Sequence, residues 1–205
     1  MDGSAIGEDS GDPHCLASTM GGRQGRIYAC WRAKNYAEAA QVALAGLEYF
    51  RHRKSKFTAM LDHHCWWSLM WDGVQSARMV DTDQTREQLV ASALDGPLPF
   101  EGIFVAQSFL EFARWAYRAA RHDDAVRLAG LAAQADPSWA EPDFFLGWHA
   151  LLRGQAEAEA WLMRAVEKDH RVLFRIANDD VCKRRPALIR HLTEQYRVEL
   201  MRSVP

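Results

Sequence analysis

"FEGIFVAQSFLEFARWAYRAARHDDAVRLAGLAAQADP", residues 100–137, is the stretch that decides the fold. Residues 100–124 carry apolar side chains at helical spacing along one face. A second helical pattern, 123–137, follows after a very short turn and stops at Pro137. Helices joined so tightly pack as an antiparallel pair. The chain then repeats the plan with "PDFFLGWHALLRG" (142–154) and "QAEAEAWLMRAVEKD" (155–169).

Laid over one another, the two pairs keep a period. Phe112-Ala113 and Leu146-Gly147 are 34 residues apart, while Ala125 meets Ala160 and Ala132 meets Ala165 within one residue of that spacing. Small residues recur because two helices that cross closely need a Gly or Ala where their backbones approach. The pattern resembles the tetratricopeptide repeat, which places small residues at its eighth, twentieth and twenty-seventh positions and a proline near its end. Ala113, Ala125, Ala132 and Pro137 hold all four in 106–139, and Gly147, Ala160 and Ala165 follow in 140–172. "Tyr36-Ala37-Glu38-Ala39" with Gly46 suggests a further copy over 25–53. The resemblance implies an all-α, TPR-like α-solenoid of antiparallel helix pairs, irregular in the middle (54–100). The helix pattern 185–201, opened by Pro186, closes the chain as a C-terminal cap.

Outward from this region, 36–53 and 81–96 also read as helices, the latter stopped by Gly96-Pro97. No segment shows strand alternation or a hairpin turn. Residues 1–23, rich in Gly, Ser and Asp, are expected to form a flexible tail, and 24–205 a single helical-repeat domain. Eight tryptophans among abundant alanine suit close helix packing. A net charge of −2 gives no bulk case for nucleic acid or anionic membrane. The four cysteines form no CxxC pair, and no apolar run reaches the roughly 20 residues of a membrane span. The expected setting is cytoplasmic, with reduced thiols.

"MLDHHCWWSLMW" (60–71) is the densest cluster of chemically able residues. On a helix it is apolar nearly all round, as a buried helix is. His63 and His64 point roughly 100° apart and lack a ligand partner at i+4, so no metal is expected at His63, His64 or Cys65. The alternative is a metalloprotein or enzyme that uses 60–71 with distant ligands such as His52, Asp62 or His122. No phosphate loop, nucleophile elbow or HExxH motif is present, and no catalytic residue or cofactor is expected. "MGGRQGR" (20–26) lacks the lysine ending of a phosphate loop. The basic runs "RHRKSK" (51–56) and "CKRRP" (182–186) read as solvated helix ends, where cations complement the helix dipole.

In tetratricopeptide arrays the second, fifth, ninth, twelfth and thirteenth positions line a concave binding surface. That resemblance places Gln107, Leu110, Arg114, Tyr117 and Arg118, then Phe144, Trp148 and Leu151, and from the first copy Tyr28, Trp31 and Arg32, on the partner-binding face. Arginine beside an aromatic ring anchors peptides well, since it forks onto a carboxylate while the ring supplies buried area. Leu110, Glu111 and Arg114 do not match the family's chaperone-binding carboxylate clamp. Another reading buries Phe144 and Trp148 beneath the C-terminal helix. The resulting expectation is a non-enzymatic interaction module: an adaptor, chaperone or assembly subunit that binds a protein or peptide partner.

Overall fold

The computed structural model describes residues 13–51, 60–80, 83–94 and 102–203; side chains are described for 22–49, 66–80, 83–94 and 102–197. Among them are ten α-helices, one short 3-10 helix and no strand. The chain divides into two compact units at Leu98/Pro99, just past the Gly96-Pro97 stop.

The first unit holds α1 (Pro13–Arg32), α2 (Tyr36–Arg51), α3 (Met60–Arg78) and α4 (Asp83–Leu94). The helical region opens at Pro13, well before Gln24. Proline suits a first helical turn, and the weak Gly-rich propensity that follows is overridden by packing of α1 on α2 and α3. "MGGRQGR" therefore lies inside a helix. Close approaches are made by glycine. A Cβ at Gly46 would sit 2.5 Å from Leu69 Cδ2, and one at Gly73 would sit 3.0 Å from the Ala43 Cβ and 2.9 Å from Leu89. Trp66, Trp67, Leu69, Met70 and Val74 are fully buried, so the tryptophan-rich stretch from residue 66 on is core. The side chains of His63, His64 and Cys65, and the whole of 52–56, lie outside the described residues.

The second unit pairs α5 (Ile103–Arg118) with α6 (His122–Ala135), and α7 (Ala140–Leu152) with α8 (Ala158–Lys168). Then come α9 (Arg171–Asn178), a 3-10 turn at Cys182–Arg184, and α10 (Pro186–Ser203). The sequence pattern misses α9 because eight residues span barely two turns. Its ends are set by side chains: Asp169 Oδ1 accepts the Arg171 amide at 3.0 Å, and Asp179 Oδ1 accepts those of Val181 and Cys182 at 2.9 and 3.1 Å. Leu192 of α10 joins a core with Phe144, Leu162, Val166 and Ile176, so α10 caps the unit as expected. Cys182 sits in that core. Burial and the neighbouring Asp179 push its thiol up to about 12, which keeps it protonated and unreactive at neutral pH.

Three helix pairs, α1–α2, α5–α6 and α7–α8, share one turn. Lys34 and Ala120 have φ of 57° and 58°, and Gly154 has φ of 66°. After each, an amide bonds back to a carbonyl five residues earlier: Asn35 to Cys30, Arg121 to Ala116 and Gln155 to Ala150, all at 2.9 Å. This is the left-handed stop that satisfies otherwise orphaned helix carbonyls. Ala120 and Gly154 stand 34 positions apart, matching Ala113 and Gly147. Ala113, Ala125 and Ala132 are fully buried, as their place in the repeat requires. Ala160 needs correction: it is exposed, while Ala158 is buried at 4% and Ala165 at 0%. The longer α7–α8 turn, 153–157, shifts the start of α8, so Ala158 takes the small position expected of Ala160. At Gly147 a Cβ would meet Leu162 Cγ at 2.7 Å and the Leu162 amide nitrogen at 2.9 Å. Buried Asp143, ion-paired with Lys168, ties the same two helices.

Candidate binding groove

Arg114, Tyr117 and Arg118 recur at i, i+3 and i+4 on α5, and Glu141, Phe144, Phe145 and Trp148 at i, i+3, i+4 and i+7 on α7. Each set therefore forms a ridge along its helix. With Arg175 of α9 and Asp179 they line an open groove of about 310 Å³. That is near the lower size of sites that hold a ligand or a few peptide side chains.

The walls are aromatic. The Tyr117 ring meets Trp148 edge-on, with centroids 5.1 Å apart, and meets Phe145 at 6.4 Å. Such offset rings hold one another's orientation. Phe144 is 5% exposed and belongs to the core; its ring face carries the Arg175 guanidinium at 4.0 Å. Trp148 is half-buried and packs against the same core. Phe144 is thus covered by Arg175 of α9, and both rings line a groove that stays open.

Charges alternate along the groove. Glu111 is buried and accepts Arg114 Nη1 at 3.1 Å and Arg118 Nη2 at 3.5 Å. Arg114 reaches Glu141 at 3.5 Å, and Glu141 also pairs with Arg175. A buried carboxylate needs such partners, since an unpaired buried charge is costly. The ladder fixes the guanidiniums without exhausting them. Arg118 has a side chain 62% exposed and, among the described residues, one long ion pair, to Glu111.

Beneath Tyr117 lies a histidine pair with no sequence motif. His149 Nε2 is 3.4 Å from His122 Nδ1, and the Tyr117 ring lies 5.4 Å from His122 and 5.9 Å from His149. Burial, then the neighbouring His122, hold the His149 pKa below the usual histidine value. The residues are 27 apart in sequence and meet only because α6 starts beside the end of α7. Among the described residues no group of three or more His, Cys, Asp or Glu could hold a metal ion. Nor is any described helix long and apolar enough to cross a membrane.

The remaining residues expected on the binding face lie elsewhere. Gln107, on α5, is half-buried and does not line the groove. Tyr28, Trp31 and Arg32 belong to the first unit. Tyr28 is 45% exposed and lies edge-on to Trp31, with centroids 5.3 Å apart. Trp31 Nε1 donates to Ser76 Oγ at 2.8 Å, which ties α1 to α3. The shallow groove of that unit, between Arg23, Arg26, Glu38 and Val42, includes none of the three.

No family model and no curated protein matches this sequence. Among solved structures, the crystal structure of MamA is similar with a TM-score of 0.42 and 14% identity, over 78% of this chain and 96% of that one. So distant a likeness adds nothing to what the chain's own packing establishes. Its helices pack in adjacent pairs, its left-handed turns recur with its small contact residues at a 34-residue spacing, and α10 caps the last pair. Among the described residues the chain is all-α, and its paired helices resemble a tetratricopeptide array in their recurrent turns and small contact residues.

Proposed function

We propose that this protein is a non-enzymatic interaction module, an adaptor, chaperone or assembly subunit, that takes a segment of a partner protein into the groove between α5, α7 and α9. The observation that carries this reading is the convergence of Arg114, Tyr117, Arg118 and Trp148 on one open concavity. Tyr, Trp and Arg are the residues that dominate binding energy at protein interfaces. The charge ladder is balanced, so it favours a partner that offers a carboxylate to Arg118 and an apolar side chain to Tyr117 and Trp148, over one that is merely acidic.

The test begins with crosslinking in the native cell to identify a partner, followed by titration of Arg118→Ala, Trp148→Ala and Arg127→Ala after each is shown to fold. Arg127 lies on the exposed side of α6, where its ion pair among the described residues is to Asp124 at 3.6 Å. Loss of a central anchor costs about 2 kcal/mol, roughly thirty-fold in affinity, and Arg127→Ala stays close to wild type. Equal affinities across the three variants refute the groove as the binding surface.

A further inference from the structure

The run Cys182–Pro186 takes no part in this groove, and the fold gives it a different setting. Arg184 and Arg185 immediately precede α10, and Arg190 lies one turn inside it. All three are exposed. None forms an ion pair with a described residue, whereas neighbouring Lys183 reaches Asp180 at 3.8 Å and His191 reaches Glu159 at 3.0 Å. The sequence reading, cations complementing a helix C-terminus, is corrected here. These arginines crowd the N-terminus of an eighteen-residue helix that has no acidic residue in its first turn. A helix N-terminus carries partial positive charge, so cations there cost stability. The helix gains nothing from them.

The same arginines edge a concavity of about 790 Å³ floored by Leu151, Ala158 and Leu188. Ala158 is 4% exposed, and the two leucines are half-buried. An apolar floor under uncompensated guanidiniums has a definite complement. We propose that this groove is a second docking site and that its occupant is an acidic peptide segment. Asp or Glu side chains of the segment fork onto Arg185 and Arg190, and an aliphatic side chain between them seats on Leu151 and Leu188. A nucleic-acid backbone would leave the floor unused. An anionic membrane binds protruding apolar residues, whereas these are recessed. The size suits a few peptide residues. The site shares no lining residue with the Arg114–Trp148 groove, so it stands or falls independently of the function proposed above.

The experiment uses the full chain and a fluorescein-labelled short peptide of alternating Glu, Asp and Leu, read by anisotropy and by backbone-amide NMR shifts. Saturable binding is expected, with shifts at Leu188 and Arg190. The double variant Arg185→Glu/Arg190→Glu should weaken it by about tenfold or more, and added salt should weaken it progressively. Arg190→Ala, a milder surface change, should weaken it several-fold even if the double variant folds poorly. Arg127→Ala, outside both grooves, should leave the shifts at Leu188 and Arg190 unchanged. The proposal is overturned by absence of shifts at Leu188 and Arg190 at millimolar peptide, by equal binding of a peptide with Lys in place of every acid, or by equal weakening with Arg127→Ala. Tighter binding of single-stranded RNA or phosphatidylserine vesicles, lost with Arg190→Ala, would assign the cations to phosphate and overturn it equally.

Discussion

Gly147→Ala adds one methyl group, at the closest approach between α7 and α8. The new Cβ would lie 2.7 Å from Leu162 Cγ, 2.9 Å from its Cδ2 and 2.9 Å from its amide nitrogen. Relaxed contacts between carbons fall near 3.5–4.0 Å, roughly an ångström further out. Leu162 is fully buried, so its side chain has no open space to take up, and the nitrogen moves only if α8 moves. Overpacking of this kind costs about 1–3 kcal/mol. Against it stands the helix propensity of alanine over glycine, worth about 1 kcal/mol. Gly130→Ala isolates that second effect. Gly130 lies within α6, and a Cβ there would meet nothing within 4 Å. Propensity cancels between the two variants, so Gly130→Ala should exceed Gly147→Ala in stability by the overpacking cost, about 1–3 kcal/mol. Urea unfolding followed by circular dichroism measures the difference, with unchanged slopes confirming that the same surface is exposed. If Gly147→Ala stabilises the protein as much as Gly130→Ala does, the close α7–α8 contact is wrong, and with it the role given to small residues in the repeat.

The shared left-handed turn predicts opposite signs at equivalent positions. Ala120→Gly removes a Cβ from φ 58° and should raise stability by about 0.5–1 kcal/mol, whereas Gly154→Ala at φ 66° should lower it by a similar amount; thermal melts that move together would contradict the equivalence. Asp72 is buried in the first unit, and its carboxyl is pushed up to about 6 by burial, partly offset by Gln24 at 3.5 Å. Because the folded pKa lies above the unfolded value, the ionised form penalises folding: the penalty is absent below about pH 4, grows as pH rises and is complete above about pH 6. Asp72→Asn should therefore gain on wild type by about 1–3 kcal/mol between pH 4 and 7; a flat difference over that range, measured by urea unfolding, would refute the buried-carboxylate account.

Helical periodicity alone located most of the helices, because amphipathic spacing is a local property. Ala113, Ala125, Ala132 and Gly147 were legible as contact points for a related reason: small residues at a fixed period have few other uses. Ala160 misled, because one alanine among Ala156, Ala158 and Ala160 cannot be singled out until the turn length fixes where α8 begins. The start of α1 misled for the opposite reason. Its glycines read as tail, and only contacts with α2 and α3 make that segment helical.

For the candidate binding residues the sequence determined their spacing on α5 and α7, hence that Arg114, Tyr117 and Arg118 form one ridge and Phe144 and Trp148 another. Whether the ridges face each other, and what else faces them, depends on residues distant in the chain. Glu111 and Glu141 hold the guanidiniums, Arg175 covers Phe144 from an eight-residue helix too short to read, and His122 meets His149 across the end of α7. The arginines of 182–190 make the same point through charge. The sequence determined that they are there. Only the packing of α10 beside α8 set them above an apolar floor, without carboxylate partners among the described residues. Local propensity and periodicity act within a few residues of the chain. Pairing, burial and electrostatic compensation are set by neighbours in space, which only the tertiary fold supplies.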